Sequence, residues 1–554
     1  MKKTLIPFLF FTFIIINCKS QNIYFNEPII PILNNIENNI LSEFVIENNE
    51  DSVYLTNLKI TLIGDLLKDI KYVKLFYSGN TSVIRTKTTS NTLLTDYNIY
   101  GSSTKIYADC NFSQLISTVD LKSFSGLMTK MDKNSNAKSG DIILTIKANK
   151  LLSKGENYFW FGIDINESAD LLSTLEFEIK SIKINDKLSD FKYSSTKRRV
   201  GHGLRNSNDD GAFAYRIPGL ETTKSGKLIA IYDIRHDNAG DLQGNIDVGM
   251  SVSTDKGQSW SKMKPILDMG EFGGLPNAQN GVGDAAILYD KSTNRLWVAA
   301  LWIHGLNGKS AWGNSKSGLE PSQTGQLVLI YSDDEGETWS DPINLTKNVK
   351  DKSWRLFFNG PGKGIVMQNG TLVFACQHID ANGVPYSGIL FSTDKGKTWE
   401  AKHTNYSNTT EAQVVEIEPN VLMLNMRDNR GKSRAVFTTD NMGETWTKHP
   451  SSNKLLQDPV CMASLIKIPS SKNILEKDIL IFSNPNNEDN RKDITLKISY
   501  DNGNTWSNKS ILLDSEYGWG YSCLTPIDDS TIGIIYEGST SHLVFQRISL
   551  IDFQ

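Results

Sequence analysis

The sequence predicts an all-β protein in which a β-sandwich accessory domain precedes a six-bladed β-propeller. Three observations predict it: a turn motif that recurs in the C-terminal part of the chain, short strand-like runs before that region, and a high content of Gly, Trp and Tyr (41, 11 and 19 of 554 residues). A chain of this length exceeds one ordinary domain and suits two or three. We therefore expect two domains behind a short N-terminal leader.

The leader covers residues 1–21. Two lysines precede an apolar run that ends at Ile16, which is too short to span a bilayer and is typical of a secretory signal. Cys18 follows in a context that resembles the lipobox of bacterial lipoproteins, although Asn17 stands where a small residue is usual. Two outcomes are open: lipidation at Cys18, or cleavage near Gln21 with release. Both predict export, as a bacterial outer-membrane or cell-surface lipoprotein or as a periplasmic or secreted protein.

The first domain is predicted for residues 22–190. Strand-like runs such as DIILTIKAN and NYFWFGIDI alternate there with turns of Asn, Ser, Asp and Gly, which is typical of a β-sandwich. Its aromatic residues, among them Tyr72, Phe76 and Tyr77, fit a carbohydrate-binding platform and fit core packing equally well. A polar, basic stretch follows, and we place the domain boundary between Lys192 and Gly201.

The propeller is predicted for residues 191–554. The pattern S-x-D-x-G-x-x-W occurs four times there, and once in a degenerate form with Asn441 at the Asp position. In this pattern the Asp caps backbone N–H groups, the Gly adopts a positive φ and the Trp packs over the turn, so each copy predicts one β-hairpin. The spacing of 79, 60, 47 and 60 residues between copies, at roughly 60 residues per unit, predicts six blades of four strands. The copies are Ser253–Trp260, Ser332–Trp339, Ser392–Trp399, Thr439–Trp446 and Ser499–Trp506.

Charge and cysteine content narrow the possible functions. The net charge of −4 leaves no basic field for nucleic acid, so local arginines must hold any bound anion. Cys110, Cys376, Cys461 and Cys523 are scattered without metal-ligand spacing, and we expect them to be free and buried. No His, Cys or Asp cluster has such spacing either. We expect no cofactor and no catalytic metal, and leave a structural Ca²⁺ open.

Two arginines lie within strand-like runs. Arg216 in AYRIPGLE and Arg235 in KLIAIYDIR interrupt apolar sequence, and Asp241 follows on a loop rich in Asn, Ala and Gly. A charged residue is rarely buried in a strand without a partner or a function. A surface ion pair is the usual explanation for a single arginine. For Arg216 a functional role is favoured instead, because it lies in a strand-like run just before Pro218, which should end the strand or place it at a sheet edge.

Further motifs accompany the repeat: YRIP at 215–218, TGQ at 324–326, FNGPGKGIVMQNGTLVFACQ, NMRDNRGKSRAVFTTDNMGETW, and the closing pair GYSCL and IIYE. From about Arg199 onward the chain resembles the bacterial exo-α-sialidases (neuraminidases) with Asp-box repeats, of the Bacteroides-like type with an N-terminal accessory domain. The resemblance implies that Arg216, Arg427 and Arg491 clamp the carboxylate of sialic acid. The chemistry agrees, because Arg offers planar, bidentate donors and a closed propeller brings distant residues to one axis.

The resemblance also assigns the reacting groups. Asp241 corresponds to the general acid/base, Tyr521 to the nucleophile and Glu411 to the base beside it. A tyrosine suits this reaction, because the carboxylate on the reacting carbon of the substrate repels an anionic nucleophile. Taken singly, each residue also has an ordinary explanation, as a turn residue, a packed tyrosine or a surface carboxylate. Asp233 and Asp237 are alternative acids that are less well placed.

Three further residues complete the expected site. Arg235 either touches the O4 side of the sugar or orients the loop, and Asp284 lies near the O4 or N-acetyl side. Glu537 holds the guanidinium of Arg216 in place.

The expected function is that of an exo-α-sialidase, which hydrolyses terminal sialic acid from glycoproteins, glycolipids and oligosaccharides by a retaining mechanism. Two alternatives use the same scaffold: a trans-sialidase, including an intramolecular one, and a non-catalytic adhesin that binds sialoglycans. The expected partners are sialylated glycans, with no nucleic acid, and with a membrane only through the possible lipid anchor.

Overall fold

The computed structural model describes residues 16–18, 21–83, 114–121, 141–190, 197–242, 244–304, 313 and 315–554. Most of the leader, Cys110 and most of the loop at 305–314 lie outside the described residues, as do the side chains of Cys18 and His304. The regular secondary structure of the described residues is almost wholly β-strand, so the all-β prediction is confirmed. No helix in these ranges is long and apolar enough to cross a membrane.

In the described ranges, twelve strands precede the first blade. They are β1 (Ile16–Cys18), β2 (Gln21–Asn26), β3 (Ile32–Leu33), β4 (Asn39–Asn48), β5 (Tyr54–Ile63), β6 (Ile70–Gly79), β7 (Gln114–Asp120), β8 (Ile142–Leu151), β9 (Gly155–Ile165), β10 (Thr174–Ile184), β11 (Lys187–Asp190) and β12 (Arg198–Arg205). One sheet has the order β1-β2-β4-β9-β6-β7, and a second contains β8, β5 and β10, with β11 paired to β10. A 3-10 turn at Asp65–Asp69 joins β5 to β6. The two sheets form the expected sandwich.

The core between the two sheets is aromatic. Phe161 of one sheet contacts Phe177 of the other with ring centroids 5.0 Å apart. Tyr77 packs against this core, whereas Phe76 stacks on Trp160 of the same sheet at 3.9 Å in a separate buried cluster. Phe76 and Tyr77 therefore take part in hydrophobic packing, which was one of the two explanations open for these aromatic residues.

Strand β12 connects the sandwich to the propeller. Its first residues, Arg198 and Arg199, pair with the start of β10. Its later residues, His202 to Arg205, pair with a strand near the C-terminus that begins at Leu543. The strand therefore belongs to the sandwich at one end and closes the last blade at the other.

Six antiparallel units of four strands follow, and the inner strands of successive units contact each other in a closed ring. Blade 1 contains β13 (Ala214–Thr222), β14 (Leu228–Arg235), β15 (Ile246–Ser253) and β16 (Lys264–Leu267), and blade 2 contains β17 (Asn280–Asp290), β18 (Arg295–His304), β19 (Gln326–Ser332) and β20 (Ile343–Asn344). In blade 3 the inner strand is divided into β21 (Leu356–Asn359) and β23 (Ile365–Val366), with β22 (Gly362–Lys363) paired to β17 between them, and then come β24 (Leu372–Ile379), β25 (Pro385–Ser392) and β26 (Glu400–Ser407).

The last three blades complete the ring. Blade 4 contains β27 (Thr409–Glu418), β28 (Val421–Asp428), β30 (Ala435–Thr439) and β31 (Thr447–Lys448), with the short pair β29 (Lys432–Ser433) and β32 (Gln457–Asp458) beside it. Blade 5 contains β33 (Ser464–Ile468), β34 (Ile479–Pro485), β35 (Ile494–Ser499) and β36 (Ile511–Asp514), and blade 6 contains β37 (Ser522–Pro526), β38 (Thr531–Tyr536), β39 (Leu543–Ser549) and β12. Helical segments among the described residues of the propeller include one α-helical turn, Thr346–Val349, and 3-10 turns at Asp209–Gly211, Phe272–Gly274, Asn277–Gln279, Ser470–Lys472 and Leu550–Phe553.

The repeated motif forms the turn between the third and fourth strands of blades 1 to 5. In the first copy the N–H of Ser259 donates to Asp255, the N–H of Gly257 donates to Oγ of Ser253, and the indole of Trp260 donates to the carbonyl of Gly257. The glycine of every copy has a φ between +82° and +92°. Each copy thus forms the expected hairpin, and blade 6 has none because β12 supplies its fourth strand.

Candidate active site

A cavity of about 310 Å³ lies where β13, β27 and β37 begin. Five blades contribute charged or phenolic side chains to its wall, and these side chains were all singled out from the sequence. They are Arg216 and Asp241 of blade 1, Asp284 of blade 2, Glu411 and Arg427 of blade 4, Arg491 of blade 5 and Tyr521 of blade 6. We call Arg216, Arg427 and Arg491 the arginine clamp.

Three inner strands depart from regular pairing at this cavity. The register shifts after Arg216 in β13, across Asp284 in β17, and across Glu411 in β27. Such bulges turn a side chain away from the regular alternation of a strand. Ile217 and Asp284 also have φ values of +56° and +53°. For a β-branched residue such as Ile217 this conformation is strained, and the surrounding contacts must hold it.

Glu537 fixes the position of Arg216. Its Oε1 accepts hydrogen bonds from Nε of Arg216 at 3.1 Å and from the backbone N–H of Ile217 at 3.0 Å, and its Oε2 accepts from the N–H of Tyr521 at 3.0 Å. Glu537 is fully buried. Because a buried carboxylate is stable only when paired, this contact locks the guanidinium of Arg216 beside Tyr521.

Tyr521 and Glu411 form a short hydrogen bond at the bottom of the clamp. The phenol donates to Oε1 of Glu411 at 2.5 Å, and Nη1 of Arg427 contacts Oε2 of Glu411 at 2.6 Å and the phenolic oxygen at 3.1 Å. Burial raises the pKa of Tyr521 well above its usual range and the charge of Glu411 raises it further, against the opposing charges of Arg427 and Arg491. The phenol is therefore protonated at neutral pH and has a proton acceptor in contact.

Arg491 is held by backbone carbonyls instead of a carboxylate. Its Nη1 donates to the carbonyl of Trp519 at 3.2 Å, and its Nη2 donates to that of Val460 at 3.1 Å. Within the described ranges it forms no ion pair. A guanidinium that lines a cavity with its charge uncompensated is a site for an anion, and its planar shape suits a carboxylate.

Asp241 contacts two arginines at once. Nη1 of Arg216 and Nη1 of Arg235 both donate to its Oδ1, at 3.0 and 2.9 Å. Its side chain is 78% exposed at the cavity. Desolvation by the surrounding walls raises the pKa of Asp241, but the charges of Arg235 and Arg216 outweigh this effect and hold the pKa below its usual range. Asp241 is thus ionised in this arrangement.

Arg235 is fully buried, and its donors are used within the protein. Besides Asp241 it contacts the carbonyls of Ala239 and Gly240 at 2.8 and 2.9 Å, and it forms an ion pair with Asp233 at 2.9 Å. These contacts hold the loop that carries Asp241, which is the second of the two roles considered for Arg235.

Asp233 also organises Asp284. Its Oδ1 accepts the backbone N–H of Asp284 at 3.0 Å, while its other oxygen binds Arg235. Burial raises the pKa of Asp284 well above its usual range, and the nearby charges of Asp233, Glu411 and Asp241 add to this. Asp284 therefore has the surroundings of a carboxyl that keeps its proton and can donate it in a hydrogen bond.

Some residues of the site were not singled out from the sequence. Asp233 was considered only as an acid, yet its position two residues before Arg235 on β14 puts both side chains on one face of the strand. The cavity also has an apolar wall and two polar residues at its edge, for which no sequence signal exists: Leu242, Leu301, Phe358, Ile379, Pro385, Thr410 and Asn429. In the described part of the chain, no three His, Cys, Asp or Glu residues are grouped to hold a metal ion.

Comparison with known proteins gives consistent results for both domains. Residues 226–534 match the family model of a BNR repeat-like domain, and residues 20–99 and 117–188 match that of the N-terminal domain of BNR-repeat neuraminidase. A sialidase of Bacteroides fragilis is 42% identical over 560 residues, covering 100% of this chain and 99% of the relative. A sialidase of Paraclostridium sordellii is 30% identical over 357 residues, 60% of this chain and 84% of the relative. Among solved structures, a Hadza microbial sialidase has 43% identity and a TM-score of 0.85, covering 95% of this chain and 99% of its own.

Proposed function

The chain belongs to the BNR-repeat neuraminidase family and is an exo-α-sialidase, and from that premise we propose that it hydrolyses terminal sialic acid from glycoproteins, glycolipids and oligosaccharides with retention of configuration. The observation that supports the substrate most directly is the arginine clamp, and within it Arg491, whose charge no carboxylate of the described chain balances. Sialic acid carries an ionised carboxylate on its anomeric carbon. Binding of that carboxylate to the clamp places the anomeric carbon near Tyr521.

The bound carboxylate also changes the state of Asp241. Arg216 is in contact with Asp241, so a substrate carboxylate on Arg216 competes with this ion pair and brings a second negative charge close to Asp241. Both effects favour the protonated form of Asp241. Asp241 then acts as the general acid that protonates the leaving oxygen.

Tyr521 is the proposed nucleophile. As its oxygen attacks the anomeric carbon, its proton passes to Glu411 along the 2.5 Å hydrogen bond, and Arg427 stabilises the charge that moves between them. A neutral phenol approaches the carboxylate-bearing carbon without the repulsion that an anionic carboxylate would meet. Water then hydrolyses the glycosyl–tyrosine bond: Asp241 takes the proton of the water, and Glu411 returns its proton to the oxygen of Tyr521 as that oxygen leaves.

Hydrolysis of a fluorogenic N-acetylneuraminic acid glycoside by the chain from Asn22 tests this proposal. We expect turnover by the wild type, a loss of roughly a thousandfold or more in Tyr521→Phe, and little change in Tyr500→Phe, whose phenol lies 41% exposed in the turn of blade 5. Incubation with 2,3-difluorosialic acid and mass spectrometry then show whether an adduct maps to Tyr521.

The alternatives give different outcomes in the same experiment. A folded wild type that binds sialyllactose without turnover would support the adhesin. Transfer of the sugar to added lactose in preference to water would support the trans-sialidase. An adduct on a residue other than Tyr521 would overturn the proposed nucleophile while leaving the enzyme class intact.

Export is a separate proposal that rests on the leader alone. If Cys18 is lipidated, cells fed labelled palmitate incorporate the label into the wild type and not into Cys18→Ser. If residues 1–21 are only a cleaved signal, neither protein is labelled and the mature chain begins near Asn22.

A further inference from the structure

Trp519 lies between two arginines of the clamp. The centroid of its ring is 5.0 Å from Cζ of Arg216, and its carbonyl accepts a hydrogen bond from Nη1 of Arg491 at 3.2 Å. Arg216 belongs to blade 1 and Arg491 to blade 5, and Trp519 enters blade 6, which stands between them in the ring. One residue therefore contacts two arginines that come from different blades.

Close contacts on both sides of Trp519 restrict the path of its backbone. A Cβ on Gly518 would lie 2.5 Å from the carbonyl oxygen of Glu537, and a Cβ on Gly520 would lie 2.7 Å from Cγ of Pro485. Gly520 also has a φ of +91°, which favours glycine. The Gly-Trp-Gly segment therefore packs closely between Glu537 and blade 5. The side chain of Trp519 is only 5% exposed, and its indole ring lies beside Arg216.

His542 supports the indole on another side. The two ring centroids are 4.9 Å apart with an angle of 65° between the planes. The imidazole is almost fully buried, and its Nδ1 accepts the backbone N–H of Tyr215, so the proton of the neutral ring is on Nε2. Burial, together with the charge of Arg216, lowers the pKa of His542 to about 4. The ring is neutral at neutral pH and adds no repulsive charge beside Arg216.

From this geometry we propose that Trp519 is a positioning residue for the arginine clamp and that His542 backs it. The indole face attracts the guanidinium of Arg216 and fixes its plane, while Glu537 fixes its Nε edge. The remaining donors of Arg216 are thereby aimed at the cavity in the plane that a carboxylate requires. This inference rests on the proposed function, because it assumes that the clamp binds the substrate carboxylate.

A pair of ligands that differ in the charge of the carboxyl group and by one methyl group tests the proposal. We would measure the affinities of 2-deoxy-2,3-didehydro-N-acetylneuraminic acid and of its methyl ester for the full chain, and take the ratio of the two. The wild type should prefer the acid. In Trp519→Leu, which keeps an apolar side chain and the backbone carbonyl but removes the π face, the preference should fall about tenfold. In Trp519→Phe, which keeps a π face, the preference for the acid should fall less than about threefold. In His542→Leu the preference should lie between those of the wild type and of Trp519→Leu.

The ratio separates positioning from packing. A purely structural role for Trp519 would weaken both ligands equally and leave the ratio unchanged, which would overturn the inference. Trp506→Leu is the matched control, because Trp506 packs in the turn of blade 5 against Phe482, and its ratio should equal that of the wild type. If Trp519→Leu does not fold, the ratio of His542→Leu decides the question: a fall supports the inference, and a ratio equal to that of the wild type overturns it. A wild type without preference for the acid would instead refute carboxylate binding by the clamp, and with it the proposed function.

Discussion

Nη1 of Arg216 and Oδ1 of Asp241 are 3.0 Å apart, so the arginine proposed to bind the substrate carboxylate also holds the carboxylate proposed to act as the acid. Ligand and Asp241 thus compete for one guanidinium. In Asp241→Asn we expect an inhibitor such as didehydro-N-acetylneuraminic acid to bind up to about fivefold more tightly, a modest gain because the Asp241 side chain is largely exposed. Turnover should fall by about 10²- to 10⁴-fold in the same variant.

Titration calorimetry checks this prediction. Asp237→Asn is the control, because it removes one charge from the same loop without touching Arg216, and its affinity should match the wild type. Weaker binding by Asp241→Asn would show that Asp241 assists the ligand and does not compete with it.

The acceptor for the tyrosine proton is tested by Glu411→Gln. The amide cannot take a proton from Tyr521, so we expect kcat to fall by about 10²- to 10⁴-fold while the affinity for didehydro-N-acetylneuraminic acid changes little. Glu418→Gln removes an exposed carboxylate from the same strand, β27, and should retain full activity. Steady-state kinetics on the fluorogenic glycoside decide the matter, and a nearly normal kcat in Glu411→Gln would mean that the proton leaves by another route.

Neutralising Glu537 is expected to lower the free energy of unfolding much more than neutralising a surface carboxylate. Glu537 accepts three hydrogen bonds in full burial, and Glu537→Gln turns one acceptor oxygen into a donor facing a donor. We expect a loss of about 3–5 kcal/mol in the free energy of unfolding. For comparison, Asp333→Asn breaks the surface pair with Arg295 and should cost less than about 1 kcal/mol. Urea denaturation measures both, and similar losses would contradict the assigned difference in burial.

The buried state of His542 predicts a pH dependence of stability. The unfolded chain binds a proton at this residue below about pH 6.5, whereas the folded chain does so only below about pH 4. The folded state therefore binds fewer protons in this window, and the contribution of His542 to stability is lost as the pH falls from about 6.5 to 4. Relative to His542→Asn, which keeps an acceptor for the N–H of Tyr215, the wild type should lose stability over that interval. Parallel stability curves for the two proteins would show that His542 titrates normally.

The parts of the fold that depend on neighbouring residues were predictable from sequence. The turn after Ser253 is stabilised by hydrogen bonds among residues of the eight-residue motif itself, among them Asp255, Gly257 and Trp260. The other copies have the same motif. The convergence of the arginine clamp was also predictable, because a closed ring of blades brings inner strands to one axis.

The parts that depend on register were not predictable. The bulges that turn Asp284 and Glu411 toward the cavity arise from pairing with distant strand neighbours, and no local pattern marks them. Sequence also left two roles open for Arg235, because its burial and its contact with Ala239 depend on the path of the following loop. Trp519 was passed over since its partners, Arg216 and Arg491, lie far from it in sequence.

The double membership of β12 has a consequence for the biosynthesis of the protein. The outermost strand of blade 6 is β12, which is synthesised before the other strands of the propeller, whereas the strand that it pairs with begins only at Leu543. Until then the growing chain has an unpaired edge at β12 and an open gap between blades 5 and 1, both of which favour aggregation. The ring of blades can therefore close only after β39 has been synthesised. A circular permutant that begins after β12 and carries β12 at its C-terminus would relieve this delay.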